Sequence, residues 1–139
     1  MRFVVVTGMS GGGKRTALKM LEDAGYYCVD NLPVSLIEKF VELLATPNSE
    51  ISKAALGVDV RSDPKFGEVV NILEKLKANG YNFEILFMDA NDQVLVKRYK
   101  ESRRMHPLET GGGRVEEGVR QEREILQGIK HKADYVIDT

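Results

Sequence analysis

A glycine-rich stretch near the start of the chain restricts its fold more than any other feature. The sequence GMSGGGK, from Gly8 to Lys14, follows a compact β-branched run over Phe3–Thr7 and opens a helical pattern over Lys14–Ala24. The pattern G-x-x-x-x-G-K between a strand and a helix is typical of phosphate-binding loops. Glycines allow successive backbone N–H groups to converge on an anion, and the helix N-terminus adds partial positive charge. This order of segments predicts a strand–loop–helix unit suited to holding phosphate.

Strand and helix patterns alternate along all 139 residues. Further strands are predicted at Tyr26–Asp30, Ala54–Val60, Phe83–Met88 and Tyr135–Asp138. Further helices are predicted at Leu36–Leu44 with Ser35 as N-cap, around Phe66–Leu76, from about Asp92 to Arg104, and along the stripe Val119, Leu126 and Ile129. Helices that connect successive strands imply right-handed crossovers and a mostly parallel sheet. We therefore predict one α/β domain whose mostly parallel sheet has about five strands.

Charge and composition exclude several functional classes. The formal net charge is -1, so no overall field draws the chain onto nucleic acid or a membrane. The single cysteine, Cys28, leaves no internal disulfide and no cysteine cluster for zinc. The sequence contains no pattern of a transmembrane helix or a signal peptide. These features predict a cytoplasmic protein without a membrane partner.

The residue after the loop lysine departs from the usual motif. A Ser or Thr normally stands there, and its hydroxyl ligates Mg²⁺. Here the residue is Arg15, whose guanidinium cannot ligate a cation and repels one. Thr16 follows, roughly 100° further around the helix, where it could reach the α-phosphate but is poorly placed for a metal. We predict retained phosphate binding and weakened Mg²⁺ coordination, with Arg15 itself as a possible partner of a phosphate oxygen.

Four of the predicted strands run into an aspartate, namely Asp30, Asp59, Asp89 and Asp138. The carboxyl ends of parallel strands share one edge of the sheet, where ligands bind in open α/β folds. For Asp89 and Asp138 a turn role is favoured. For the other two a function is favoured: Asp59 as a metal ligand, and Asp30 as a base or as a group that orients an acceptor. With Lys14, these two acids are the predicted catalytic residues.

A short basic segment follows the fourth predicted strand and contains Lys97, Arg98, Lys100, Arg103 and Arg104. One interpretation is a solvated helix face, partly balanced by Glu101. The other is a lid over about 103–114, in which Arg103 and Arg104 clamp phosphates together with Arg114. The triple glycine Gly111–Gly113 would give such a loop its freedom. Sequence alone leaves both interpretations open.

Several stretches together resemble a known family. They are VTGMSGGGKRTALKMLEDAGYYCVDNLP from Val6, GVDVRS from Gly57, ILFMDANDQVLVKRYKESRRMHPL from Ile85, and the closing ADYVIDT. The sequence is similar to the RapZ/YvcJ family of nucleotide-binding proteins. The resemblance implies a P-loop kinase-like three-layer sandwich that binds ATP and GTP and hydrolyses both weakly. It implies an ATP site at Gly8, Met9, Ser10, Gly11, Gly12, Gly13, Lys14 and Arg15, to which we add Thr16, and a GTP motif at Asp59, Val60, Arg61 and Ser62.

The resemblance covers only the N-terminal half of such a protein. We therefore expect residues 1–139 to be the nucleotide-binding domain of a regulatory, RNase adapter-like protein whose C-terminal domain is missing here. RNA or protein partners would bind through that missing domain. The expected ligands of residues 1–139 are nucleoside triphosphates and Mg²⁺, and Arg15 places the metal in question. The alternative is a small-molecule kinase that transfers phosphate from ATP. An RNA-binding module is disfavoured by the net charge.

Overall fold

A computed structural model describes residues 2–9, 11–47, 50–59, 66–102 and 115–138. In these ranges strands and helices alternate as predicted. The strands are β1 (Arg2–Gly8), β2 (Tyr27–Val29), β3 (Lys53–Gly57), β4 (Asn82–Asp89) and β5 (Tyr135–Asp138), and the α-helices are α1 (Lys14–Asp23), α2 (Ile37–Leu44), α3 (Val69–Ala78), α4 (Asp92–Ser102) and α5 (Val115–Lys132). Within the same ranges, no helix combines the length and apolarity that crossing a bilayer requires.

The five strands form one parallel sheet in the order β2-β3-β1-β4-β5. The central strand, β1, pairs with β3 on one side and with β4 on the other. Val6 lies beside Gly57 of β3, and Val29 of β2 lies beside Leu56. This register brings the carboxyl ends of β1, β2 and β3 side by side, so the segments that follow them meet at one edge. The predicted α/β fold with a mostly parallel sheet is confirmed.

The two faces of the sheet support separate apolar cores. On one face Phe3, Val5, Leu56 and Phe87 pack with residues of α2, α3 and α5, including Ile37, Leu73 and Leu126. On the other face Val4, Val6, Ala55 and Met88 pack against Ala17 and Leu18 of α1. The strand β1 therefore contributes apolar side chains to both sides, which is why its sequence is continuously apolar rather than alternating. The layers are helix, sheet and helix.

Some predicted boundaries differ from those observed. Ser35 is not the N-cap of α2, as it was expected to be: it lies in a 3-10 turn over Val34–Leu36, and Leu36 caps the helix without a side-chain hydrogen bond. The extended conformation of Pro33 starts that turn, and its carbonyl accepts the N–H of Leu36. The N–H of Ile37, the first residue of α2, donates to the carbonyl of Val34, so the backbone of the turn leads directly into the helix. The strands β2 and β3 are also shorter than predicted.

Asp89, at the end of β4, forms hydrogen bonds to α5, and a residue of α5 forms hydrogen bonds in turn to α4. The Asp89 carboxylate accepts hydrogen bonds from the N–H of Ala90, from Arg123 at 3.0 Å and from Lys130 at 2.7 Å, and Arg123 also donates to Asp92 of α4. Burial raises the pKa of Asp89, but the bonds from Lys130, Ala90 and Arg123 together outweigh it and leave the pKa below its ordinary value. Asp89 therefore holds α5 to the sheet, and Arg123 extends the network to Asp92 of α4. This is a larger structural role than the turn role favoured from sequence.

Replacing Asp89 with Asn should lower the free energy of unfolding by about 2 kcal/mol at pH 7, because two partly buried cations lose their carboxylate. A lowered pKa means that the wild-type contribution is present above the unfolded-state value of about 3.9 and is lost as the pH falls through the folded pKa. The difference between wild type and variant should therefore shrink below about pH 4 in urea unfolding measured across pH.

Asp138→Asn provides the matched control. Asp138 lies beside Asp89 in the β4–β5 register but is exposed, so its variant should change stability by no more than about 0.5 kcal/mol. Equal losses in the two variants would contradict the role given to Asp89.

Candidate functional site

The loop between β1 and α1 lies directly on the end of β4. The N–H of Met9 donates to the carbonyl of Met88 at 3.0 Å, and the N–H of Gly12 donates back to the carbonyl of Met9 at 2.8 Å. A Cβ on Gly8 would lie 2.1 Å from the Met88 oxygen, and a Cβ on Gly12 would lie 2.6 Å from it. Neither distance is compatible with a side chain. The glycines therefore allow the loop to curl tightly onto β4.

The start of α1 completes this loop. Gly13 precedes the helix in a left-handed conformation with φ +103°, and it makes no side-chain capping bond. Its carbonyl accepts the N–H of Ala17, which begins the helical hydrogen bonding. The N–H groups of the first turn, which includes Lys14, Arg15 and Thr16, consequently end at the loop without a capping side chain. Such an N-terminus is electrostatically suited to an anion.

Three predicted residues meet beside the loop. The Lys14 ammonium lies 2.9 Å from Asp30 Oδ1 and 3.6 Å from Asp59 Oδ2. The side chains of Lys14 and Asp59 are only 15% and 12% exposed, and that of Asp30 is 33% exposed. Asp30 and Asp59 follow the carboxyl ends of β2 and β3, and Lys14 opens α1 after the loop that follows β1. The structure brings these three side chains together, and their catalytic role stays a prediction.

The electrostatics of Asp30 follow from this arrangement. Partial burial raises its pKa, but the hydrogen bond and charge of Lys14, the N–H of Asn31 and the charge of Arg15 outweigh burial and lower the pKa overall. Gly57 makes room for the carboxylate, because a Cβ there would lie 2.6 Å from Asp30 Oδ1. Sequence reasoning missed Gly57, because its proximity to Asp30 depends on the pairing of β2 with β3.

The described residues supply only part of a coordination shell for a metal ion. Asp59 and Asp30 offer hard carboxylate oxygens, which is the chemistry that Mg²⁺ prefers. Arg15 and Thr16 are exposed on the first turn of α1, and the charge of Arg15 acts on Asp30. Among the described residues, no three His, Cys, Asp or Glu side chains gather at one point. The donor set therefore fits a metal that takes one or two protein oxygens and completes its shell elsewhere.

The remaining predicted site residues have different outcomes. Ser10 of the loop, Val60, Arg61 and Ser62 of the GTP motif, and the lid residues Arg103, Arg104 and Arg114 lie outside the described residues, so their roles stay predictions. The basic segment did contain a contact that sequence reasoning missed: Arg98 of α4 donates from Nη1 to the carbonyl of Gly11. Neither a solvated face nor a lid predicts this contact, because it depends on β4 lying next to β1.

Comparison with known proteins shows the family to which the chain belongs. The model of the RapZ-like N-terminal domain matches residues 1–139. The chain belongs to this family. A nucleotide-binding protein of Lachnoclostridium phytofermentans is 55% identical over the whole chain, and one of Agathobacter rectalis is 53% identical. The RapZ-like chain described here covers 48% and 47% of these relatives, about half of their length.

Solved structures show the fold of this RapZ-like domain. Shikimate kinase from Acinetobacter baumannii superposes with a TM-score of 0.61 and 16% identity, over 99% of this chain and 83% of that one. A gluconokinase from Sinorhizobium meliloti superposes with a TM-score of 0.54 and 18% identity, over 97% and 81% of the two chains. The predicted P-loop kinase-like sandwich is therefore confirmed.

Substitution of a loop glycine tests the packing of the loop on β4. Gly12→Ala should lower the free energy of unfolding by about 2 kcal/mol, because the new methyl group meets the backbone oxygens of Met88 and Met9. Gly128→Ala, in α5, is the matched control, since nothing lies within 4 Å of its Cβ position. That variant should gain about 0.5–1 kcal/mol from helix propensity. Similar changes in both variants, measured by urea unfolding, would contradict the tight packing of the loop on β4.

Proposed function

We propose that this domain binds nucleoside triphosphates, both ATP and GTP, at the loop from Gly8 to Lys14. The observation that carries the proposal is the Lys14 ammonium, held by two carboxylates beside a loop whose glycines leave no room for side chains. The names of the relatives, which are nucleotide-binding proteins at 53–55% identity, also support it.

The phosphates would replace part of the present pairing of Lys14. Its ammonium is shared between Asp30 and Asp59, and a triphosphate supplies several negative oxygens in the same region. The N–H groups of the first turn of α1 would add donors aimed at the phosphates, with Thr16 near the α-phosphate. The phosphate-binding set is then the loop residues together with Lys14, Arg15 and Thr16.

The binding of Mg²⁺ would depend mainly on Asp59. Mg²⁺ usually keeps several waters and binds through one or two carboxylates plus substrate phosphates. Asp59 would supply that carboxylate, and Arg15 cannot supply the hydroxyl of the usual motif. When bound, the ion would neutralise charge on the phosphates. Because Lys14 and Arg15 already provide positive charge, we propose that nucleotide binding persists without the metal.

Hydrolysis would be slow at such a site. An efficient general base has a pKa near the working pH. The pKa of Asp30 is instead lowered below its ordinary value, which moves it further from neutral pH. Asp30 would remain ionised and would orient a nucleophile better than it would deprotonate one. We therefore propose weak ATPase and GTPase activity, in the nucleotide-binding half of a regulatory, RNase adapter-like protein. The proposed GTP motif at 59–62 would contribute through Asp59.

A second candidate is a small-molecule kinase. It is favoured by the position of Asp30 at the strand edge beside Lys14, in a fold shared with shikimate kinase and gluconokinase. In that case Asp30 would orient the hydroxyl of an acceptor. Transfer of the γ-phosphate of ATP to a sugar or shikimate-like acid would support this candidate, and slow hydrolysis independent of any acceptor would support the first.

The decisive experiment is calorimetric titration of the domain with ATP and GTP, each with and without Mg²⁺. We expect both nucleotides to bind, with affinities that depend little on the metal. Lys14→Met should weaken binding about a hundredfold, because a charge-assisted contact to the phosphates is lost. Lys19→Met, on the exposed part of the same helix, is the matched control. Absence of binding by the wild type would overturn the proposal.

Arg15→Ser tests the explanation of the metal site. The serine restores the hydroxyl of the usual motif and removes a charge that repels cations. Nucleotide affinity should then increase when Mg²⁺ is added, whereas wild-type affinity should change little. If the two proteins respond equally to Mg²⁺ in the same titrations, Arg15 does not control the metal.

A further inference from the structure

The contact between Arg98 and the glycine loop joins two segments that are 87 residues apart in sequence. Arg98 lies on α4, the helix that follows β4, and its side chain is partly buried, whereas the neighbouring Lys97 is exposed. Its Nη1 donates to the carbonyl oxygen of Gly11. A charged donor on a backbone carbonyl is among the stronger hydrogen bonds in proteins. The contact therefore restrains the loop at a defined atom.

That atom belongs to a peptide group held from both ends. The Gly11 carbonyl and the Gly12 N–H form one planar unit and point in opposite directions. The N–H donates to the carbonyl of Met9 at 2.8 Å, and the carbonyl accepts from Arg98. Gly11 itself has φ +84°, a conformation that favours glycine. The two bonds together determine which way this peptide faces.

Such restraint matters because the peptide lies between two glycines. Without Cβ atoms on either side, the peptide plane meets no resistance from side chains of its own two residues when it rotates. A rotated plane would turn its carbonyl oxygen, a negative dipole end, to a new direction within the loop. An anion site formed from backbone N–H groups is weakened when a carbonyl oxygen faces the anion. The loop therefore needs a partner for the Gly11 carbonyl outside the site.

We propose that Arg98 is a positioning residue of the nucleotide site. It holds the Gly11–Gly12 peptide in the orientation that leaves the loop open to the phosphates of a nucleoside triphosphate. The role rests on the proposed nucleotide binding but is distinct from it, since Arg98 acts through the loop backbone.

The test compares Arg98→Gln with Lys97→Gln, which removes one positive charge from the adjacent position of the same helix. Arg98→Gln should weaken ATP binding about tenfold in calorimetry, and Lys97→Gln should weaken it less than about twofold. Arg98→Lys, which keeps a charged donor, should recover part of the loss. Amide hydrogen exchange of Gly12, measured by NMR without nucleotide, should become faster in Arg98→Gln, while the free energy of global unfolding stays within about 0.5 kcal/mol.

Each result bears on the proposal. Equal loss of affinity in Arg98→Gln and Lys97→Gln would mean that only charge matters, and the positioning role would be wrong. Unchanged Gly12 exchange in both Arg98 variants would also overturn it. If the wild type bound no ATP, the proposed function would fail, and Gly12 exchange alone would decide whether Arg98 holds the peptide. If Arg98→Gln did not fold, Arg98→Lys would carry the same comparison.

Discussion

The backbone of the glycine loop rests on the last residues of β4, where the Met88 carbonyl accepts the N–H of Met9. This contact is possible because Gly8 and Gly12 have no side chains in the space that the Met88 oxygen occupies. It determines where α1 begins, and so where Lys14 is placed relative to Asp30 and Asp59. Packing of α1 on one face of the sheet then follows from the same starting point.

Two clusters of charge lie at this edge of the sheet and have opposite compositions. At the candidate site one cation, Lys14, is shared by two acids. At the end of β4 one acid, Asp89, is shared by two cations, Arg123 and Lys130. The second cluster connects α5 to the sheet and has a structural role. In the proposed function the first cluster would exchange a carboxylate for a phosphate, since both are anionic oxygen ligands of the same ammonium.

The sheet and its layers are shared with kinases that are only 14–18% identical to this chain. At that level of identity the likeness concerns the fold, and a function depends on the particular side chains at the site. Here those side chains differ from the usual motif at Arg15. Lys14 and Arg15 are adjacent in sequence, and their two positive charges would favour anion binding over metal binding at the proposed site. Nucleotide binding and hydrolysis are therefore separate predictions for this domain.

The sequence by itself determined the alternating strands and helices, the glycine loop, and the common edge for Lys14, Asp30 and Asp59. Local periodicity sets the element type, and parallel strands bring their carboxyl ends together whatever their order. Only the tertiary structure decided the two cationic partners of Asp89, the space that Gly57 leaves for Asp30, and the bond from Arg98 to Gly11. These contacts join residues from 27 to 87 positions apart. They depend on strand order and on how helices pack, and no local pattern in the sequence encodes either.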